Sequence, residues 1–270
     1  MRRIAVVLFV LLTGCAPTCA PPPEPYAPGS INRDIAYAIP VNHEGDREVQ
    51  YMDVHQPTKP NGAAVVLAHG GGFTSGDKSQ TDGEARYLAG KGFVVLNINY
   101  RLRKEFVGFG SIDSNAVGTV FDAAGDAQSA VRWARSNAAR TGIDPKRVAI
   151  MGVSAGAVIG LAVGMNGEGP KDGQPSARVC GVVSRAGALI PQLASADDAP
   201  VYFHHGSQDT RVPYAQAKST KDALAAKGVR VEWDVVQGGG HVPPLSAASR
   251  TAVDGFLATT TAANSTTCPK

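Results

Sequence analysis

One five-residue segment, Gly152-Val153-Ser154-Ala155-Gly156, constrains the fold more than any other part of the sequence. An apolar run over 148–151 leads into it, and small residues follow it. This order predicts a strand, a sharp turn that carries the serine, and a helix. Such a turn is strained, and only small neighbours let the strand and the helix approach each other closely. The side chain of Ser154 is therefore expected at the end of a sheet, open to a ligand.

A glycine run, Gly70-Gly71-Gly72, comes well before this serine and directly after His69 and the apolar segment 63–68. Backbone N–H groups of glycines can face a ligand with no side chain in between, and donors aimed in this way stabilise the oxyanion of a tetrahedral intermediate. A flexible surface loop is the alternative. Glycines that directly follow a buried strand usually serve close backbone approach instead. We interpret the run as an oxyanion hole.

Downstream of Ser154, the chain supplies an acid and a histidine in the order that completes a catalytic triad. His241 is the histidine that follows the plausible acids, in a loop after three glycines. Asp209 ends the strand-like segment 201–209, which places it at the edge of the sheet where open α/β sheets bind ligands. Asp234 lies inside another strand-like segment and is the second candidate for the acid.

The remaining histidines do not predict a metal site. His204 and His205 are adjacent in a strand-like segment, so their side chains point to opposite faces and cannot bind one ion together. His69 is interpreted as a hydrogen-bonding support for the glycine run rather than as a base. No metal and no organic cofactor is expected.

These motifs resemble those of the α/β-hydrolase superfamily, and within it the small esterases of the hormone-sensitive-lipase and acetylxylan/feruloyl-esterase kind. The resemblance implies a triad of Ser154, His241 and Asp209. It also implies an oxyanion hole formed by the backbone N–H groups of Gly71, Gly72 and Ala155. Four segments carry the likeness: 69–78, 99–101, 143–156 and 205–213.

Two features concern the substrate. Phe73 directly follows the glycine run and is predicted to contact the substrate. Residues 102–121 form a longer stretch than the resemblance implies and contain several Gly and Phe residues. The residues that form the rim of the acyl or alcohol pocket are therefore not assigned from the resemblance to the family.

Apolar runs alternate with helix-like stretches, which predicts one α/β domain with a mostly parallel central sheet, helices on both faces and no large lid domain. This α/β-hydrolase domain is expected over residues 33–262. Strands are predicted near 63–68, 92–98, 147–153, 179–184, 200–206 and 230–236, with an antiparallel pair near 34–40 and 48–55. Helices are predicted near 82–90, 119–140, 155–165, 213–227 and 247–261.

The two ends of the chain are expected to lie outside this domain. Residues 1–14 combine two arginines with a short apolar core, and the following Cys15 completes a sequence that resembles a bacterial lipobox. An ordinary secretory signal is the alternative. Residues 15–32 are rich in proline and predict an extended tether, and 263–270 form a C-terminal tail. We expect an exported protein, either secreted or periplasmic, or a lipoprotein anchored to a bacterial membrane.

The charge balance argues against a polyanionic partner. Without residues 1–14, the chain has 24 basic and 23 acidic side chains, and it contains no run of five Lys or Arg residues. Nucleic acid is therefore not expected as a partner, and membrane contact is expected only through a lipid at Cys15.

An exported chain can oxidise its cysteines. Cys180 opens a strand-like segment, which places it at the amino-terminal edge of the sheet, and the last helix is expected to return toward that edge before Cys268. The sequence therefore predicts a disulfide between Cys180 and Cys268, with Cys19 free. The alternative is a buried, unpaired Cys180 and a loose Cys268.

The motifs together predict a serine-dependent hydrolase of carboxylic esters, acting on short acyl esters or on esterified polysaccharide. A secreted hydrolase of aliphatic or aromatic polyesters, a peptidase, and a non-catalytic binding module on the same fold are the alternatives. A peptidase of the prolyl-oligopeptidase kind would need a propeller domain, which this chain cannot supply. A binding module is disfavoured because every triad residue and the glycine run are present. The oligomeric state is not predicted.

Overall fold

A computed structural model describes residues 24–41, 47–103, 114–168 and 173–268. Within these ranges, eight strands form one sheet and six α-helices pack around it. The strands are β1 (Ile31–Ala38), β2 (Gln50–His55), β3 (Ala64–Ala68), β4 (Val94–Ile98), β5 (Val148–Val153), β6 (Val182–Arg185), β7 (Val201–Gly206) and β8 (Val231–Val236). The helices are α1 (Asp82–Gly90), α2 (Ser114–Ser136), α3 (Ala138–Thr141), α4 (Ala155–Asn166), α5 (Tyr214–Ala226) and α6 (Ala247–Thr260).

The strand order in the sheet is β1-β2-β4-β3-β5-β6-β7-β8. The pairs β1–β2 and β2–β4 are antiparallel, and every later pair is parallel. This mostly parallel sheet with an antiparallel pair at one edge confirms the predicted fold class. Because parallel strands end at the same edge, the loops after β3, β5, β6 and β7 meet there.

Side chains along each strand point alternately to the two faces of the sheet, which divides the core into two layers. In β3, Ala64, Val66 and Ala68 pack with the layer that contains α2 and α4, whereas Val65 and Leu67 face α1 and α6. Both faces of this strand are apolar because helices cover both sides of the sheet. The central strands therefore hold the carboxyl edge in a fixed position.

The N-terminal signal and the cysteines predicted to be lipidated or free lie outside the described residues. The described part of the tether is attached to the domain. The backbone N–H of Tyr26 donates to the carbonyl of Arg140 at 3.0 Å, and the Tyr26 ring lies 4.2 Å from the Arg140 guanidinium. Strand β1 then begins at Ile31, two residues before the predicted start of the domain.

The stretch 102–121 lies partly outside the described residues, and its last part forms the first turns of α2 from Ser114. The predicted helix starts later, near residue 119. Among the described residues, no helix combines the length and the apolar character that crossing a membrane requires.

The opposite, amino-terminal edge of the sheet carries a disulfide. Cys180, which precedes β6, is joined to Cys268 in the segment after α6. This is the pair that the sequence predicts. It fixes the end of the described chain to the start of the parallel sheet.

Candidate active site

The serine turn joins β5 to α4 with a strained backbone. Ser154 has φ 54° and ψ −117°, a conformation that residues with a side chain rarely adopt, and its N–H donates to the carbonyl of Arg185 at 2.8 Å. A methyl group at Gly156 would overlap the carbonyl oxygen of Ala68, and one at Gly152 would overlap that of Gly156. The small residues are therefore required for the turn to hold the serine at the sheet edge.

Three side chains predicted to act together lie in one hydrogen-bonded row. Ser154 Oγ is 2.8 Å from His241 Nε2, and His241 Nδ1 is 2.8 Å from Asp209 Oδ2. The other carboxylate oxygen of Asp209 accepts the backbone N–H groups of Arg211 at 2.9 Å and Val212 at 3.1 Å. These two backbone donors fix the carboxylate plane, because Asp209 follows β7 in a tight turn.

A second histidine supports this carboxylate. His205 Nε2 lies 2.9 Å from the carbonyl of Val212 and 3.3 Å from Asp209 Oδ2. Burial lowers the pKa of His205, so the ring is a neutral donor that binds these oxygens through one N–H. His205 therefore helps to hold Asp209 without adding a positive charge next to His241.

The glycine run turns back on itself beside the serine. Gly71 and Gly72 have φ 126° and 62°, values that favour glycine. The Gly71 carbonyl accepts the backbone N–H groups of Thr74 at 3.2 Å and Ser75 at 3.1 Å, and a side chain at Gly71 would overlap the Ser75 carbonyl. This compact turn leaves the carbonyl bound inside the loop and places both glycines on the cavity wall.

His69 supports the loop, in agreement with its predicted role. Its Nδ1 donates to the carbonyl of Gly70 at 2.6 Å, and its ring stacks on Tyr100 with the ring centres 4.3 Å apart. Tyr100 in turn donates its hydroxyl to the His69 carbonyl at 2.9 Å. Burial lowers the pKa of His69, which keeps the ring neutral in this position.

The structure brings the predicted oxyanion-hole residues to the serine. Gly71, Gly72 and Ser154 line the same cavity. Ala155 is the first residue of α4, and the first N–H groups of a helix have no acceptor within it. The glycine loop and the first turn of α4 therefore both lie next to Ser154.

The cavity has a volume of about 870 Å³. Among its described residues, the apolar side chains are those of Val153, Val212 and Val242, and the others are polar or glycine. Three wall residues are charged: Glu84, Arg185 and Arg211. Most positions of the cavity wall are therefore polar side chains or glycines, with three valines among them.

Phe73 does not reach this cavity, which corrects the prediction that it contacts the substrate. Its side chain is fully buried and packs edge-on against Tyr100, with the ring centres 6.4 Å apart. The backbone of Phe73 has φ 66°, because it continues the left-handed turn of the glycines before it. That conformation directs the ring into the core, a consequence the sequence order does not reveal.

Arg185 is a wall residue that the sequence motifs do not single out. It ends β6, and the rule that identifies Asp209 at the end of β7 applies to it equally. Val242, which follows His241, is another wall residue outside the predicted set, and its φ of 52° is as unusual as that of Ser154. No local pattern in the sequence signals that strain.

Asp234, the second candidate for the acid, is bound to a different histidine. Its Oδ2 is 2.8 Å from His204 Nδ1 and accepts the Tyr202 hydroxyl at 2.9 Å. Burial raises the pKa of Asp234, but hydrogen bonds from His204, Tyr202 and Ser249 outweigh it and leave the pKa below its ordinary value. Asp234 is therefore an ionised partner of His204, and the acid beside His241 is Asp209.

One cluster outside the cavity has side chains of the type that bind metals. Asp53, His55 and Asp82 lie close together in the described part of the chain. Lys78 Nζ is 2.9 Å from one Asp53 oxygen, and Arg33 donates to the other at 2.7 Å. Because these cations already use both oxygens of Asp53, the cluster is an ion-pair network rather than a set of free ligands.

Two family models match this chain. The BD-FAE model matches residues 52–187, and the Phospholipase/Carboxylesterase model matches residues 127–259. The sheet topology and the serine turn define the α/β-hydrolase fold. Because the first match covers half of the sequence, the chain belongs to the BD-FAE family, within the α/β hydrolases.

Curated relatives match part of the chain. Esterase LipI of Mycobacterium tuberculosis is 29% identical over 53% of this chain and 40% of its own length. Carboxylesterase NlhH of the same species is 35% identical over 43% of this chain and 33% of its own length. The chain thus spans less than half the length of these relatives. A solved structure of Thermogutta terrifontis esterase 2 superposes with a TM-score of 0.67 at 22% identity, covering 86% of this chain and 95% of that one, which establishes the shared fold.

Proposed function

We propose that this protein is a carboxylic-ester hydrolase in which Ser154 is the nucleophile, His241 the general base and Asp209 the acid that orients the histidine. The observation that carries the proposal is the pair of 2.8 Å contacts from Ser154 through His241 to Asp209, at the wall of a cavity. Membership of the BD-FAE family and the esterase names of the curated relatives support the same reaction class.

The first half-reaction forms an acyl-serine. Ser154 Oγ attacks the ester carbonyl carbon while its proton passes to His241 Nε2, and Asp209 stabilises the resulting imidazolium through Nδ1–H. The backbone N–H groups of Gly71, Gly72 and Ala155 donate to the oxyanion, and such donors contribute roughly 3–4 kcal/mol each. His241 then gives its proton to the leaving alkoxide, and the alcohol departs.

The second half-reaction regenerates the serine. Water takes the place of the alcohol, His241 accepts its proton, and the hydroxide adds to the acyl carbon. Collapse of the second tetrahedral intermediate releases the carboxylic acid and returns the proton to Ser154 Oγ. These residues supply every proton transfer, so the proposed reaction needs no metal or organic cofactor.

We infer that the substrate is a short acyl ester of a polar alcohol, which includes acylated polysaccharide. The composition of the cavity wall supports this inference, because its only apolar side chains among the described lining residues are three valines, so a long acyl chain would find few apolar side chains to pack against. A substrate panel tests it. We expect kcat/KM to be highest for acetyl esters and to fall by at least about tenfold for decanoyl esters. A preference for decanoyl esters or for polyester film would contradict the inference.

Covalent labelling tests the nucleophile independently of the natural substrate. A fluorophosphonate probe reacts with an activated serine, so we expect mass spectrometry to find one label per chain, on Ser154. The Ser154→Ala variant should not be labelled. Ser195→Ala, which removes an exposed serine between β6 and β7, is the matched control and should be labelled like the wild type. A label on another serine would overturn the assignment.

We also propose that the protein is exported and carries a lipid on Cys15. The lipobox-like sequence before Cys15 and the Cys180–Cys268 disulfide support export, because disulfides persist in oxidising compartments. Labelling with a fatty acid in a bacterial host tests it. Label is expected on the wild type and not on Cys15→Ala. Equal labelling of both would contradict lipidation, and accumulation of the full-length chain in the cytoplasm would contradict export.

A further inference from the structure

The cavity beside Ser154 contains a guanidinium that ester hydrolysis does not use. Arg185 ends β6 and pairs in register with Val153 of β5, directly before the serine. Its carbonyl accepts the Ser154 N–H at 2.8 Å, and the residue lines the cavity. The position of Arg185 is therefore fixed relative to the nucleophile by the sheet itself.

The side chain of Arg185 is half-buried and has few hydrogen-bond partners. Its Nη2 donates to the carbonyl of Pro243 at a long 3.4 Å, and its Nε is buried with no hydrogen-bond partner in the described structure. No carboxylate of the described residues forms an ion pair with it. Burial lowers the pKa of Arg185, which shows that the charge is partly desolvated without full compensation.

Arg101 shows how this chain satisfies a buried arginine elsewhere. Its Nε and Nη2 contact the buried carboxylate of Asp126 at 2.9–3.0 Å, and it also donates to the carbonyls of Val41 and Asp122. Buried charges are normally paired in this way because desolvation of an unpaired ion is costly. Arg185 has no such carboxylate partner among the described residues, and it lines the cavity that contains Ser154.

The other charged groups of the wall leave this region positive. Glu84 lines the cavity, but Arg250 binds both of its carboxylate oxygens. Arg211 is exposed at the cavity and forms no ion pair with any described residue. Glu84 thus forms an ion pair with Arg250, whereas Arg185 and Arg211 form none among the described residues, and the attraction of Glu84 offsets the burial of Arg185 only in part.

We propose that Arg185 binds a carboxylate carried by the substrate, so that the preferred ester is a monoanion such as the half-ester of a dicarboxylic acid or an ester of an acidic sugar. A planar carboxylate matches the fork of guanidinium donors, and Glu84 close by favours one negative charge over the two of a phosphate. Arg211 adds a second cation to the same wall. This inference rests on the proposed function.

Two matched ester pairs test the proposal and locate the carboxylate. The first is the 4-nitrophenyl half-ester of glutaric acid and its methyl ester, which differ on the acyl side. The second is 4-acetoxybenzoate and its methyl ester, which differ on the alcohol side. We expect the wild type to favour the anionic member of at least one pair by about tenfold in kcat/KM, the scale of a charged hydrogen bond. About 0.5 M salt should reduce that preference.

Substitution of the arginine gives the decisive comparison. Arg185→Met should reduce the anionic-to-neutral ratio by about tenfold, and Arg185→Lys should retain part of it. Arg230→Met is the control, because it removes an exposed arginine at the amino-terminal end of β8 and should leave the ratio unchanged. If Arg185→Met lowers kcat/KM equally for the anionic and the neutral ester of a pair, Arg185 acts only through the Pro243 loop and the proposal is overturned. A wild type that turns over both members equally would also overturn it.

A binding measurement separates this proposal from the esterase assignment. In Ser154→Ala, calorimetry with each of the two anionic esters should detect binding of the one whose pair shows the charge preference, and that binding should be about tenfold weaker in Ser154→Ala/Arg185→Met. Hydrolysis of neither pair by the wild type, together with Arg185-dependent binding, would reject the esterase function and keep the anion site. Hydrolysis without Arg185-dependent binding of either anionic ester would reject the anion site and keep the esterase function.

Discussion

Two aspartate–histidine pairs connect β7 to β8, one within the strands and one in the loops after them, and they differ in the group that the second imidazole nitrogen contacts. In both, Nδ1 of the histidine is 2.8 Å from a carboxylate oxygen. His241, paired with Asp209, directs Nε2 to Ser154 Oγ at 2.8 Å. His204, paired with Asp234, directs Nε2 to the carbonyl of Pro243 at 3.1 Å.

The exposure of the two pairs is reversed. In the first, the Asp209 side chain is fully buried and that of His241 is 17% exposed; in the second, His204 is fully buried and Asp234 is 27% exposed. A buried acid behind an accessible imidazole can orient a base toward a substrate. A buried imidazole between two acceptors can only donate. Pair geometry alone therefore does not define a catalytic dyad, because access of the far nitrogen decides its chemistry.

The second pair nevertheless acts on the first through the backbone. Pro243, whose carbonyl accepts from His204, lies two residues beyond His241 in the same loop. His204 thus anchors the loop that carries the proposed base. We assign it a positioning role, which substitution of the two acids separates from catalysis.

The largest expected effect comes from removing a residue of the hydrogen-bonded row Ser154–His241–Asp209. Ser154→Ala and His241→Ala should each reduce kcat for a 4-nitrophenyl acetate ester by about 10⁶-fold, because the two residues act as a unit. The double variant should lose little more than either single variant. Steady-state kinetics with circular dichroism as a check of folding measures this. Retention of more than a tenth of wild-type kcat in Ser154→Ala would contradict the assignment.

The two acids offer the sharpest test of the comparison. Asp209→Asn should lower kcat by about 10⁴-fold, since an amide holds the wrong imidazole tautomer. Asp234→Asn weakens only the support of the His241 loop, so we expect less than about a tenfold loss in kcat/KM and a lower melting temperature. Kinetics and thermal unfolding of both variants show which of the two aspartates orients the proposed base. A larger catalytic loss in Asp234→Asn than in Asp209→Asn would reverse the roles of the two pairs.

Much of this site follows from the sequence because strand ends are easy to recognise. Ser154, Asp209 and the glycine run each come directly after an apolar segment, so the parallel topology places them at one edge. Cys180 and Cys268 can be paired by the same reasoning applied to the other edge. His241 follows from chain order, because the triad histidine comes after the acid.

Other features depend on backbone angles and on partners distant in sequence. The order of residues predicts Phe73 at the substrate, but the left-handed turn through residues 71–73 buries its ring. Asp234 stays a second candidate for the acid until the structure pairs it with His204. The absence of an ion-pair partner for Arg185 can be seen only in the structure of the described residues. In the sequence, a single arginine after a strand gives no sign that no carboxylate lies next to it.

A smaller effect is expected at the edge of the sheet away from both pairs. Cys180→Ser/Cys268→Ser removes a bridge between residues 88 apart and should lower the free energy of unfolding by about 2–4 kcal/mol. Its kcat/KM should stay within about twofold of wild type, since the bridge lies at the amino-terminal edge. Urea unfolding and ester kinetics measure the two quantities. Cys19→Ser is the matched control. Equal urea midpoints for the double variant and this control would contradict a stabilising bridge.

The smallest effect concerns His205, the neighbour of His204 that supports Asp209. Burial lowers its pKa in the folded state, so below the ordinary pKa of about 6.5 the unfolded chain binds a proton that the folded chain does not. Stability is therefore fully present above pH 6.5 and falls as the pH drops below it, by at most about 1.4 kcal/mol per pH unit for one histidine. His205→Asn should show a shallower loss between pH 7 and pH 5. Val212→Ala, which trims the buried residue whose carbonyl binds His205, should lower stability at every pH but keep the wild-type slope. Urea unfolding across this pH range measures it, and an unchanged slope in His205→Asn would show that another group controls acid unfolding.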